Sequence, residues 1–169
     1  MKEIELTQGK VALVDDADFD WLSAYKWHAV NNRGRWYAAR GIYDPTTQKV
    51  HTSQMHREIM KAGAGQQIDH WNRDGLDNRK ANLRLCNDAE NNANTIKRAG
   101  CSSQYKGVSW DAPRHKWRAH IGVLGRLYHL GGFDDEIRAG RAYDEAAREH
   151  FGEFARLNFP RAGEQGAIS

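Results

Sequence analysis

The chain has 169 residues, of which 40% are hydrophobic, with a formal net charge of +3 and two cysteines. That length holds one ordinary domain or two small ones with modest cores, and no apolar run is long enough to span a bilayer. Cys86 and Cys101 form no CxxC pair, which excludes a disulfide framework and a four-cysteine zinc ribbon; the small net charge alone indicates no partner.

The opening Met1-Lys2-Glu3 leads into no apolar stretch, so the expected location is the cytoplasm, away from any membrane. Residues 1–50 read as scaffold. Lys10 to Val14 is a strand candidate, and Asp18 is placed to cap a helix carrying Phe19, Leu22 and Tyr25. Trp36 to Ile42 and Lys49 to Thr52 follow as strands joined through the Asp44-Pro45 turn. Residues 51–97 form the next segment, rich in Asn, Asp, His and Arg. It contains the loop Asp69-His70-Trp71-Asn72-Arg73-Asp74-Gly75, whose composition suits turns and specific hydrogen bonds better than packing. Asn87 and Glu90 have capping-box spacing for a helix running on through Asn91, Asn94 and Ile96.

Residues 98–104, polar and containing Gly100, Ser102 and Ser103, are the linker candidate. Beyond them, Tyr105 to Trp110, Lys116 to Val123 and Leu127 to Phe133 read as three strands, the last two joined tightly at Gly125-Arg126. Asp134 to His150 reads as a helix with Ala139, Ala142, Tyr143, Ala146, Ala147 and His150 on one face. Residues 161–169 read as a disordered tail. The predicted fold class is α+β. Charge is uneven along this half: Lys97 to Tyr128 has seven basic residues against Asp111 alone, whereas His129 to Pro160 has seven acids against four arginines. Such polarity suits a module with one basic face for phosphates and a solvated helix behind it.

The candidate chemistry lies in residues 51–95. Phosphodiester hydrolysis needs an activated water and a cation to neutralise charge on the phosphate and the departing 3′ oxygen. In an extended Asp69-His70 pair the side chains point opposite ways, so one can face a metal and the other a water. Asn91, early in the following helix, offers a second oxygen ligand for a hard cation. The expected site therefore has Asp69 and Asn91 on one Mg²⁺ or Mn²⁺ ion, with His70 as general base.

The run Ile68-Asp69-His70, Gly75, Asn78, Asn82-Leu83-Arg84 and Glu90-Asn91-Asn92-Ala93-Asn94 resembles the HNH motif of phage and intron homing endonucleases, the ββα-metal fold. Met55-His56-Arg57 is similar to the His-Arg pair that often precedes that motif, making His56 and Arg57 additional candidates. The resemblance implies His70 as general base, Asn82 as the residue orienting its loop, and Asn91 joining Asp69 on the metal. It also points to a phage or bacterial host. Asparagine replaces histidine at the third motif position, which keeps an oxygen ligand.

Tyr105-Lys106-Gly107-Val108, Lys116-Trp117-Arg118-Ala119-His120-Ile121, Leu130-Gly131-Gly132-Phe133, Ala142-Tyr143-Asp144-Glu145-Ala146-Ala147 and Leu157-Asn158-Phe159-Pro160 resemble the Apetala-two or ethylene-response-factor DNA-binding domain. That resemblance covers residues 105–160 and implies a three-stranded antiparallel sheet in the major groove of double-stranded DNA, with a helix behind. Lys106, Trp110, Arg114, Lys116, Arg118, Arg126 and His129 are the expected DNA-facing residues. Strand alternation puts Trp117, Ala119 and Ile121 on the opposite face from Lys116, Arg118 and His120.

The combined expectation is a metal-dependent endonuclease of the homing type, a monomer or weak dimer. The competing expectation is a sequence-specific DNA-binding regulator with an inactive nuclease core. A zinc-organised protein using His56, His70, Cys86 and Cys101 lacks any usual ligand spacing.

Overall fold

The structure, a computed structural model, describes residues 1–97 and 100–167; Arg98 and Ala99 of the expected linker and Ile168 and Ser169 of the expected tail lie outside the described residues. The chain divides into two compact units, Met1–Cys86 and Asn87–Ser169, and mixes helices with antiparallel sheets, an α+β fold as expected.

The first unit opens with a hairpin of β1 (Lys2–Glu5) and β2 (Val11–Val14), in which alternation turns Ile4, Ala12 and Val14 inward. Helix α1 (Asp16–Ser23) follows, and its flanking residue is Asp15, not the expected Asp18. Asp18 lies inside the first turn, where a carboxylate favours the positive end of the helix, and it is buried against Lys80 Nζ at 2.8 Å. Strands β3 (His28–Asn32), β4 (Arg35–Asp44) and β5 (Lys49–Gln54) form an antiparallel sheet. The Asp44 carboxylate accepts from Thr46 N and Thr47 Oγ1, which fixes the β4–β5 turn.

A single-turn helix α2 (Met55–Ile59) leads to the hairpin of β6 (Gln67–His70) and β7 (Leu83–Cys86), with Asp69 opposite Arg84 and His70 opposite Leu83. The long loop between β6 and β7 is stitched to β2: Leu13 N donates to Leu76 O, and Asn78 N donates to Leu13 O, both at 2.8 Å. Beneath lies one core of Val14, Leu22, Trp27, Met55, Ile59, Ile68 and Leu83. Truncating the fully buried Met55 to alanine costs about 2–5 kcal/mol at such a site.

In the second unit α3 (Asp88–Ala93) carries the expected capping box, with Glu90 N donating to Asn87 Oδ1 and Asn87 N to Glu90 Oε2. It stops at Ala93, short of the expected extension to Ile96. Strands β8 (Val108–Asp111), β9 (Lys116–Val123) and β10 (Arg126–Phe133) make an antiparallel sheet ordered β10-β9-β8. The β9–β10 turn residues are Leu124 and Gly125, both with positive φ, so Arg126 already belongs to the strand.

Helix α4 (Glu136–Phe151) is capped by the Asp135 side chain and covers the sheet through Ala139, Tyr143, Ala147 and Phe151. The small residues permit close approach: a Cβ on Gly140 would sit 3.0 Å from the Phe159 ring. Part of the expected tail also folds back. Strand β12 (Gln165–Gly166) pairs in parallel with β11 (Arg156–Leu157), Ala167 is buried, and Glu164 binds Arg148 at 2.8 Å. Ser103, assigned to the linker by sequence, is buried and donates to Glu136 Oε1 at 2.7 Å.

Candidate active site and nucleic-acid interface

Strand β6 ends at His70, which is 6% exposed, and Asn82 holds the loop that leaves it. Asn82 Oδ1 accepts from Asn72 N at 2.9 Å, its Nδ2 donates to Asp77 O at 2.7 Å, and its own carbonyl accepts from Trp71 N at 2.8 Å. One buried amide thus bonds backbone at both ends of the Trp71–Asp77 turn, as a loop-orienting asparagine must. Arg79 then holds Asp77 through two bonds of 2.6 and 2.7 Å, and Asn72 Nδ2 reaches the same carboxylate. Gly75 is dictated by space: a Cβ there would fall on Trp36 O and 2.6 Å from the Tyr37 ring.

His56, from α2, stands edge-on to His70 with centroids 4.9 Å apart, and Tyr37 meets both rings at 5.9 Å. Burial pulls the His56 pKa down to about 3, with the charges of His70 and Arg57 acting the same way. Burial also lowers His70, opposed by a hydrogen bond to Asn78 and by the charges of Asp69, Asp74 and Asp77. A neutral imidazole near pH 7 is the form a general base needs. Arg57 faces elsewhere, donating to Gln66 O at 2.7 Å and Gly63 O at 2.8 Å, and so closes the loop after α2.

Asp69 is buried and ion-paired with Arg84, its cross-strand neighbour. Its carboxylate is thus already matched with a cationic group, and carboxylate and amide oxygens are donors of the kind that hard divalent ions take. Among the described residues no group of three His, Cys, Asp or Glu side chains is arranged to hold a metal. Asn91 lies in α3, within the second unit, where its N donates to Asn87 O at 3.0 Å.

The three-stranded sheet has one face turned away from α4. Cross-strand partners share a face. Ala119 and Ile121 pack on α4, so Val108, Trp110, Trp117 and Tyr128 share their side, and Ser109, Asp111, Lys116, Arg118, His120 and His129 occupy the open one. Lys116, Arg118 and His129 therefore lie on the open face. Arg114, in the β8–β9 turn, joins them by donating to Asp111 at 3.0 Å, while Arg118 approaches the same carboxylate at 3.5 Å. The Arg114 hydrogen bond holds the Asp111 carboxyl below its usual range.

The other expected contacts sit elsewhere. Trp110 stacks edge-on to Trp117 at 5.0 Å on the helix side, and Arg126 pairs with Val123 on that side. Lys106 donates to Ala93 O at 2.6 Å and Thr95 O at 2.7 Å, anchoring the segment after α3. Sequence spacing gave no sign of Tyr37, which reaches the histidines only through the β4 register, and assigned no role to Asn72 or Asp77. Their positions in an Asn/Asp-rich loop were the one available signal. No helix among the described residues is long and apolar enough to cross a membrane.

No family model matches the chain. It is 45% identical over 58 residues to APETALA2-like protein 2 of Oryza sativa subsp. indica, a stretch covering 34% of this chain and 13% of that protein. A match of the same identity and length to the AP2-like ethylene-responsive transcription factor TOE2 of Arabidopsis thaliana covers 12% of that protein. The chain thus spans only a small part of these plant relatives. It is also 29% identical over 146 residues to an uncharacterized HNH endonuclease of Acanthamoeba polyphaga mimivirus, a similarity that takes in 83% of this chain and 74% of that one.

Proposed function

We propose that this protein is a DNA endonuclease of the HNH, homing type, which hydrolyses phosphodiester bonds and is held on double-stranded DNA by the open face of its three-stranded sheet. The observation that carries the reading is the pairing of a buried His70, its pKa lowered by burial, with a loop held at both ends by Asn82. The likeness to a viral HNH endonuclease over most of the chain, and to plant transcription factors over a third of it, supports the same combination.

In this reading His70 takes a proton from water, whose oxygen bonds to phosphorus as the bond to the 3′ oxygen breaks; the departing oxygen regains a proton from solvent. Asp69 is the proposed ligand of one Mg²⁺ or Mn²⁺ ion, which when bound would neutralise charge on the phosphate. Asn82 keeps the His70 loop in place, and His56 and Tyr37 wall off the imidazole from solvent. Lys116, Arg118, Arg114 and His129 contact phosphates or base edges. The protein acts in the cytoplasm of a phage-infected or bacterial cell, as a monomer or weak dimer.

The Asp69–Arg84 ion pair favours a second reading, a DNA-binding regulator whose nuclease core is inactive, because Arg84 competes for the carboxylate that would bind metal. One experiment separates the two. Purified protein is incubated with plasmid and Mg²⁺ or Mn²⁺ beside a His70→Ala variant, and nicked and linear products are resolved on a gel. Cutting that requires metal and vanishes in the variant is expected; DNA binding without cutting in any metal would establish the regulator.

A further inference from the structure

Strand β4 is the middle strand of its sheet, so the segment around Tyr37 is held from both sides. Tyr37 pairs with Val30 of β3, and Ala39 pairs with His28 of β3 and Gln54 of β5. Helix α2 begins at Met55, directly after Gln54, and this register delivers His56 to the Tyr37 ring, edge-on at 5.9 Å.

The same ring stands inside the loop that leaves His70. It meets the His70 imidazole edge-on at 5.9 Å, and further along the loop a Cβ on Gly75 would fall 2.6 Å from two of its carbon atoms. One side chain therefore props both the imidazole and the turn that follows it.

A histidine does not fix the orientation of its own ring. The terminal torsion is broad and roughly two-fold, so what packs against the ring decides where its nitrogens point. Around His70 those neighbours are His56, at 4.9 Å and 88°, and Tyr37, at 5.9 Å and 60°. His56 is carried on a single-turn helix, whereas Tyr37 is carried on the central strand of a sheet. Displacing a reacting group by about 1 Å costs on the order of a hundredfold in rate, so the firmer of the two supports matters to a base.

We infer that Tyr37 is a positioning residue for the proposed hydrolysis: its ring, held by β4 and set between Gly75 and the two imidazoles, fixes the orientation in which His70 meets the attacking water. This rests on the reading of His70 as general base, although the orientation is measurable without cutting.

Two variants test it. Tyr37→Phe keeps the ring, and Tyr37→Met fills much of the space with a flexible chain. With plasmid and Mg²⁺ or Mn²⁺, Tyr37→Met loses roughly tenfold to a hundredfold in kcat at unchanged KM, while Tyr37→Phe cuts at the wild-type rate. In NMR spectra the His70 Cε1–H signal, assigned by its disappearance in His70→Ala, is single and sharp in the wild type and in Tyr37→Phe, and broadened or doubled in Tyr37→Met. Circular dichroism checks the fold, and Tyr37→Leu replaces a Met variant that does not fold; failure of both to fold makes Tyr37 a core residue and overturns the inference. So does a folded Met variant with wild-type kcat or an unchanged signal, or a Phe variant as slow as the Met variant. A signal broadened only in Tyr37→Met, in a protein that never cuts, sustains the positioning and removes the nuclease reading instead.

Discussion

The plane of the His56 ring lies at 88° to that of His70, with centroids 4.9 Å apart, and Tyr37 meets both rings edge-on. Packed in this way the two imidazoles cannot be charged together, and His56 Nδ1 is buried without a partner among the described residues. This pair makes the stability of the first unit sensitive to acid.

In the unfolded chain both histidines titrate near 6.5, whereas the fold pulls His56 to about 3 and lowers His70. The unfolded state therefore binds more protons below pH 6.5. The stability is fully present above that pH and is lost as pH falls, by up to about 1.4 kcal/mol per pH unit for one such group, until pH nears 3. Urea unfolding at pH 7.5 and pH 5 should show this decline, and His56→Gln should flatten it. An undiminished decline in the variant would assign the effect to other groups.

Asn82→Ala should leave the backbone of the Trp71–Asp77 loop unsatisfied at Asn72 N and Asp77 O. Each lost buried partner costs about 1–3 kcal/mol, so the urea midpoint should fall measurably. Cleavage should fall further than stability accounts for, because the loop begins at His70. A variant that unfolds earlier but, where folded, cuts at the wild-type rate would leave Asn82 a purely structural role.

Gly107 adopts φ 74°, and a Cβ there would fall inside the Tyr143 ring and 2.8 Å from His120 O. Gly107→Ala combines backbone strain with overpacking against two elements, at a cost of roughly 2–5 kcal/mol. A thermal melt should show the loss in the second unit, together with weaker DNA binding. Near-wild-type melting would mean that the sheet and α4 separate more easily than their packing indicates.

On the open sheet face, Arg118→Ala and Lys116→Ala should each weaken DNA binding and reduce its salt slope by about 1. Arg126→Ala and Trp110→Ala, on the opposite face, should leave that slope unchanged. His120 is lowered by burial and by the charges of His129, Lys97 and Arg118. A phosphate brought near it favours its protonated form, so binding takes up a proton and affinity should rise as pH falls below neutrality. Fluorescence anisotropy at pH 6 and pH 8 checks this; equal affinities would place the DNA elsewhere.

The sequence by itself determined the local features. The Asn87–Glu90 capping box, the α4 periodicity and the alternation through Trp117, Ala119 and Ile121 all depend on neighbours a few residues apart, and each appears in the structure. The positions of His70 at the end of β6 and of Asn82 just before β7 are likewise local, because spacing along one hairpin and its loop is read from the chain itself. Where Lys106, Trp110 and Arg126 point was not legible, since a basic or aromatic residue reads alike whether it faces DNA, a neighbouring ring or a backbone carbonyl. Only the tertiary structure decided that Tyr37 reaches the two histidines and that Arg84 occupies Asp69. Each of those juxtapositions joins different strands and loops, and their register is set by the burial of Met55, Ile68 and Leu83, to which no single segment holds the key.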